Sequence, residues 1–304
     1  MVYTITFNPA LDYIMHLDTF NEGCMNRSGN ESVFYGGKGI NVSIMLKRLG
    51  IQNTALGFLA GFTGDEIEKE VKSEGVICNF THLSEGFSRI NIKLKTGDSK
   101  NYMETEINGA GPVIDTENIN DFMGKLKSLC SGDLLVISGS IPPAIPKDIY
   151  KKIVESVVSS GAGFIADTEW DNLKPLLEFK PYLIKPNYEE LCTIAGRKLE
   201  NRDEIRNEAK ALMDMGAQNV LVSLGGDGAI LLDQAGNTYS VKAKEGKVRN
   251  SVGAGDSMIA GYIAGTMLFG DIHRALNMAV AAGSATAFTD KIAVSDEVYS
   301  LFEV

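Results

Sequence analysis

Asp256 stands directly after Gly253-Ala254-Gly255 and heads an apolar run in which Met258, Ile259, Tyr262, Ile263 and Met267 recur at helical spacing. Small residues ahead of a helix leave backbone N–H groups unpaired and approachable. With the positive end of the helix dipole behind them, they suit an anion such as a phosphoryl oxygen. A carboxylate in that place would repel the anion unless it has another task. Asp256 could take a proton from a hydroxyl while the N–H groups hold the charge developing on a phosphoryl group. It could equally cap the helix, and the local sequence leaves both open.

Gly36-Gly37-Lys38-Gly39 is a second glycine turn at a helix start. It is not a P-loop, because Gly39 follows Lys38 where Ser or Thr is required. It suits a phosphate or a closely approached sugar, or else a tight turn with a solvated lysine. Asn187 and Glu190 spell a capping box, and the same pair could lie near hydrated magnesium on a nucleotide's phosphates. Arg27 and Arg89 are ordinary surface charges when taken singly, and Asp12 after Asn8-Pro9 is an ordinary turn carboxylate. The two arginines gain interest because a lid built from their segments could bring guanidinium groups onto a phosphate.

These side chains need elements to hold them. Strand-like runs at 2–7, 54–59, 134–138, 163–166, 182–185 and 219–224 alternate with helical patterns at 40–49, 64–74, 115–130, 147–160, 188–195 and 202–215. A strand pair is expected across 229–241, a single strand at 78–83, and two closing helices at 254–269 and 272–288. Such alternation with nearly all-apolar strands predicts an α/β fold with a mainly parallel sheet covered on both faces. Ligands gather at the carboxyl ends of such strands. Asp12, Gly37 and Lys38, Ser138, Lys185 and Asn187, Gly225 and Gly226, and Gly253–Asp256 each follow a predicted strand or open a predicted helix. Two stretches break the rhythm: an irregular one at 12–35 with one strand at 31–35, and a hairpin at 89–107 turning on Thr96-Gly97-Asp98. Their mixed polarity predicts a small separate sheet acting as a lid. No repeat or Pro/Ser-rich linker divides the chain, so residues 1–304 are expected to be one domain with this elaboration.

Composition narrows the function. The 304 residues are 44% hydrophobic and 22% charged, which describes an ordinary globular protein. A formal net charge of −10 argues against nonspecific nucleic-acid binding. No apolar run reaches membrane-spanning length and the chain enters directly into a strand, so neither a membrane span nor a signal peptide is expected. The four cysteines and three histidines are scattered, which disfavours a disulfide framework or a zinc site and fits a reduced, cytoplasmic setting. Neither Gly225-Gly226-Asp227-Gly228 nor Gly253-Ala254-Gly255 completes a dinucleotide fingerprint.

Gly36-Gly37-Lys38-Gly39-Ile40-Asn41-Val42 and Asn250-Ser-Val-Gly-Ala-Gly-Asp-Ser257, at this separation, resemble the two signatures of the ribokinase-like (PfkB) carbohydrate kinases. The likeness runs from Thr6 to about Thr289. It implies a ribokinase-like three-layer α/β/α sandwich with a small β-sheet lid, using ATP and Mg2+ on a sugar phosphate. By position it implies Asp256 as general base and the backbone of Gly253, Ala254 and Gly255 as an anion hole. Asp12, Gly37, Lys38, Asn41 and Ser138 would meet the sugar, with Arg27 and Arg89 on its phosphate. Lys185, Asn187, Ser223, Gly225, Gly226, Gly228, Asn277, Gly283 and Ser284 would border the nucleotide, and Asn187 with Glu190 the magnesium. The segments 57–64, 89–93 and 105–112 are most similar to the branch that phosphorylates the 6-hydroxyl of fructose 1-phosphate to fructose 1,6-bisphosphate. Tagatose-6-phosphate kinase resembles them less, and tagatose 6-phosphate or fructose 6-phosphate as the substrate is the alternative within the family. Glu169-Trp170 stands where the family more often has Ser-Gly. Lids of this family often pair between subunits, so a homodimer through the lid is expected. A non-turning sensor with the same pocket is the alternative of another class; loss of Asp256 or its glycines would have favoured it, and none is lost.

Overall fold

The computed structural model describes residues 1–98 and 101–303. Its spine is a sheet whose order runs, from one edge, Thr238–Val241, Ala229–Leu232, Val220–Ser223, Leu183–Ile184, Gly163–Asp167, Leu134–Ser138, Val2–Thr6, Asn53–Ala60 and Ile77–Cys78. Thr81–Leu83 adds a second short parallel partner to Asn53–Ala60. The pairings are parallel from Val220–Ser223 onward, and the Ala229–Leu232 and Thr238–Val241 hairpin closes the other edge antiparallel. Parallel strands need crossovers, and the helices that provide them cover both faces. Every residue of Asn53–Ala60 is accordingly buried.

Alternation along the strands splits the core. Ile5, Leu56, Leu135 and Ile137 join one layer with the aromatic cluster Phe7, Phe58, Phe122 and Tyr150. Val2, Val136, Ile165, Leu183 and Leu221 face the other layer, where helices Lys38–Arg48, Ala254–Phe269 and Ile272–Ala287 pack. This is the expected α/β/α sandwich. Helix Ala254–Phe269 stops at Gly270, which takes the left-handed conformation, and Asp271 restarts the chain by accepting from Arg274 N at 2.7 Å.

A separate sheet lies beside this body, in the order Asn30–Gly36, Ala10–Leu17, Arg89–Asp98, Asn101–Asn108. Its two central strands are parallel, with Asp12 opposite Asn91. By register, Asp12, Asn91, Lys93 and Glu106 share one face, while Tyr13, Val33, Ile92 and Ile107 share the other. This is the expected small separate sheet, with two corrections: Thr96-Gly97-Asp98, expected to turn the hairpin, instead ends the paired strand Arg89–Asp98, and Ala10–Leu17 is a full strand where an irregular stretch was expected. Its polar side chains alternate toward an open cleft, and no core on either face makes the apolar period plain in the sequence. The expected strand at 78–83 is two short ones, broken at Asn79–Phe80. The helix expected at 115–130 ends at Leu126. A final short helix, Ser295–Leu301, was not anticipated. Lys100, expected to begin the second hairpin strand, lies outside the described residues.

Candidate active site

The strand ends, the lid and the start of helix Ala254–Phe269 enclose a cleft of about 1860 Å3. Asp12, Gly37, Lys38, Asn41, Arg89, Lys185, Asn187, Glu190 and Gly253–Asp256 all line it, as do Ser223, Gly225, Gly226, Gly228, Gly283 and Ser284. Two glycines set its backbone. Gly37 caps helix Lys38–Arg48 with φ 140°, and a Cβ there would stand 2.4 Å from Thr6 Cγ2. Gly253 caps helix Ala254–Phe269 with φ 80°, a region costly for a side chain. Lys38 and Asn41 therefore leave the first turn of one helix toward the first turn of the other.

Asp256 does not cap its helix. Gly253 holds that position, no side chain caps it, and the Asp256 carboxylate instead accepts from Asn41 Nδ2 at 2.8 Å. Ala254 N–H turns back to Ser251 O at 3.2 Å, so the amides of Gly255 and Asp256 are the ones left to begin the helix without an acceptor behind them. Within the expected Gly253–Gly255 stretch, the Ala254 amide is spent on this turn and the Gly255 amide is not.

Asp256 is 5% exposed, and burial together with the nearby Asp167 raises its pKa from 3.8 to about 6, against the Asn41 hydrogen bond and the charges of Lys38 and Lys185. Burial dominates because a lone carboxylate loses water more than it gains from its neighbours. Asp167 is a residue the sequence reading passed over. It ends strand Gly163–Asp167, buried, with Lys185 Nζ at 3.3 Å from one oxygen and Lys38 Nζ at 3.6 Å from the other. Its charge holds the Lys38 pKa above the ordinary value, so that ammonium stays charged. The two cations are matched by two buried carboxylates, Asp167 and Asp256, so a further anion is met by lysines whose charge Asp167 already holds in place. The strand-end rule that selected Ser138 applies equally to Asp167, its partner in register.

Asn187 and Glu190 form the full capping box: Glu190 N donates to Asn187 Oδ1 and Asn187 N to Glu190 Oε2, each at 2.8 Å. Ser223 bridges to Asn187 across the strand ends, which brings the Gly225–Gly228 loop alongside. On the lid side, Asp12 Oδ1 accepts from Asn91 Nδ2 at 2.8 Å, and Lys93 Nζ lies 3.8 Å from Oδ2. Arg89 Nε donates to Asn8 O at 3.1 Å, and burial pulls the pKa of its guanidinium below the usual value.

Three expected site residues stand off the cleft wall. Arg27 is exposed in the turn between strands Ala10–Leu17 and Asn30–Gly36. Ser138 is buried in register with Asp167, its hydroxyl without a partner. Asn277 is buried and spends its amide on His273, one turn earlier in the same helix.

Among the described residues no group of three or more His, Cys, Asp or Glu side chains could hold a metal ion by itself. Glu190 and Asn187 still offer hard oxygen donors beside the cleft. This fits magnesium held mostly by water and phosphate oxygens, not an all-protein cage. Taken together, the arrangement can hold an anion between two lysines and two helix amides while a buried carboxylate accepts a proton.

The chain matches the model of the pfkB family carbohydrate kinases over residues 5–294. It is 41% identical over 301 residues to a 1-phosphofructokinase of Bacillus subtilis, covering 99% of this chain and 97% of that one. It is 39% identical to a D-tagatose-1-phosphate kinase of Bacillus licheniformis, covering 95% and 93%. Among solved structures it is similar to phosphofructokinase-2 from Escherichia coli in complex with substrates and products, at TM-score 0.91 and 26% identity, covering 99% and 98%.

Proposed function

The chain belongs to the pfkB family of carbohydrate kinases, and from that we propose that it transfers the γ-phosphoryl group of ATP to the 6-hydroxyl of fructose 1-phosphate. The products are fructose 1,6-bisphosphate and ADP. The observation that carries the reading is Asp256: a buried carboxylate, held by Asn41, at a helix start without a side-chain cap that opens on a cleft bordered by Lys38 and Lys185.

In this reading Asp256 accepts the proton of the 6-hydroxyl as that oxygen attacks the γ-phosphorus. The bond from phosphorus to the bridging oxygen breaks and ADP leaves with the electron pair. The Gly255 and Asp256 amides, next to Gly253 and Ala254, take the charge that spreads onto the transferring oxygens, and phosphoryl transfer asks for little more than this positioning and charge. Lys38 and Lys185 flank the same charge. Asp12 and Asn41 hold sugar hydroxyls, and Arg89 takes the 1-phosphate. Ser223, Gly225, Gly226, Gly228, Gly283 and Ser284 border the nucleotide. Magnesium on the ATP phosphates would be steadied through water by Asn187 and Glu190, and would supply charge neutralisation there.

The whole chain works as one kinase domain with the lid inserted. Val33, Met103 and Ile107 leave an exposed apolar stripe on the lid's outer side, and this supports pairing with a second copy through the lid. In such a dimer Arg27, at a lid turn, would be free to reach a neighbouring site. Four free cysteines support a reducing, cytoplasmic setting, and among the described residues no helix is long and apolar enough to cross a membrane.

A second reading rests on the relative named for D-tagatose 1-phosphate, a ketohexose 1-phosphate offering the same acceptor hydroxyl. Coupled ADP release with Mg-ATP, comparing fructose 1-phosphate with tagatose 1-phosphate, tagatose 6-phosphate and fructose 6-phosphate, separates them. A kcat/KM for fructose 1-phosphate tenfold or more above the others, about 1.4 kcal/mol of transition-state discrimination, is the expected result. A preference for tagatose 1-phosphate moves the substrate and keeps the chemistry. A preference for either 6-phosphate overturns the role of Arg89.

A further inference from the structure

The start of helix Ala254–Phe269 is braced by a strap at residues 290–293, of which Asp290, Lys291 and Ile292 also border the cleft. Ile292 presses on Gly253: a Cβ added there would stand 2.6 Å from Ile292 Cδ1 and 3.6 Å from Asn41 Nδ2. The backbone on either side of that contact is pinned from two directions. Ala293 N donates to Thr286 Oγ1 at 3.2 Å, and Thr286 Oγ1 shares a buried 2.8 Å hydrogen bond with Ser257 Oγ, one residue past Asp256. From the other direction Arg48, the last residue of helix Lys38–Arg48, donates through Nη1 to both Ile292 O and Ala293 O.

The Arg48 fork is itself aimed. Its Nε and Nη2 grip both oxygens of Glu74, the C-cap of helix Gly61–Ser73. The guanidinium is partly buried, 19% exposed. A planar fork held on two edges has one orientation, and a lysine could not copy it. The helix that presents Lys38 and Asn41 at its start thus holds, at its end, the strap that seats Gly253.

We infer that Arg48, aimed by Glu74, is a positioning residue: it fixes the 290–293 strap so that Ile292 keeps the Gly253 cap, and the amides after it, pointed into the cleft. The proposal rests on the kinase reading for its effect on turnover only. A loose cap costs the transition state more than the ground state, because the amides must meet charge that develops late.

The test uses Arg48→Met, Arg48→Lys, Ile292→Ala and the Arg48→Met/Ile292→Ala pair in the full-length protein. Arg48→Met and Ile292→Ala are each expected to lower kcat about tenfold, with KM for sugar phosphate and ATP within about twofold, since small misplacements at a reacting centre cost this much or more. The pair should lose no more than the worse single variant, and Arg48→Lys should fall between parent and Arg48→Met. Amide hydrogen exchange supplies a readout independent of activity. Exchange in the segment 250–258 should speed at least fivefold in Arg48→Met, with strand Leu134–Ser138 unchanged. Unaltered exchange at 250–258, or a pair whose losses multiply to about a hundredfold as independent sites do, overturns the inference. If the parent lacks sugar-phosphate kinase activity while exchange responds as described, the functional reading fails and the strap stands.

Discussion

Replacing Asp256 with Asn keeps the shape of the side chain and removes its ability to take a proton. With a pKa of about 6, Asp256 is about 99% ionised at pH 8 and only about a tenth ionised at pH 5. It is a competent base at working pH without being a strongly hydrated one. General-base assistance is worth about 10²–10⁴-fold, or about 2.7–5.5 kcal/mol of barrier, so Asp256→Asn should lose at least a hundredfold in kcat while nucleotide affinity stays close to the parent's. Stability should move the other way. A carboxyl whose pKa is raised in the folded state binds its proton more readily there, so folding gains stability as pH falls from about 6 toward 3.8 and carries the full penalty above 6. The rise from 3.8 to about 6 corresponds to about 3 kcal/mol. Asn should recover part of that, and Tm at pH 8 should climb by a few degrees. Coupled ADP release and a thermal melt on the same preparation read both quantities. Turnover within tenfold of the parent would refute the base assignment. A lower Tm would refute the claim that burial, not pairing, dominates at this carboxylate.

Other outcomes follow from the same geometry. Because the charge of Asp167 helps to raise the Asp256 pKa, Asp167→Asn should move the acid limb of the kcat/KM profile below pH 6; a limb that stays or rises would remove Asp167 from that role. Arg89→Ala should raise KM for the sugar phosphate at least tenfold with a smaller change in kcat, and an unchanged KM would place the substrate phosphate elsewhere. Asn187→Ser keeps a good N-cap whereas Asn187→Ala loses about 1 kcal/mol of it. If Asn187 also serves the nucleotide's magnesium, both variants should need more Mg2+ for half-maximal rate while only the Ala variant melts earlier. Equal magnesium requirements in parent and Ser variant would leave Asn187 a cap alone.

What could be read from the sequence was local. The Asn187–Glu190 box and the Gly253–Asp256 turn are complete within a few residues, and helices 188–195 and 254–269 stand where they were expected. Asp167 could be read as a strand-end residue but not given a role, because that role is made by Lys38 and Lys185, which arrive from distant parts of the chain. Arg27 drew attention because its segment belongs to the small sheet, but the sequence does not show that it sits at a turn beyond the end of the strand that carries Asp12, off the cleft wall of its own chain. Asn277 had a plain local use, a hydrogen bond to its own helix. The strand Ala10–Leu17 was obscured because one of its faces is polar and wet, so the apolar period that marks a buried strand is diluted.

The pairing inside the lid also governs how the molecule must assemble itself. Its central strands are parallel neighbours that meet residue for residue, Ala10 with Arg89 through Leu17 with Thr96, although two helices, three main-sheet strands and one strand of the small sheet intervene in the chain. No turn can set that register. Loop closure over such a span is entropically costly, and long-range strand pairing is correspondingly slow. The helix–strand–helix unit from Lys38 to Ser73 must be docked before the lid has a template to zip against. A chain emerging from synthesis would therefore hold Ala10–Leu17 paired on one side with Asn30–Gly36 and open on the other until residue 96 is available. Refolding should accordingly be biphasic, with the main core protected from exchange before the lid is.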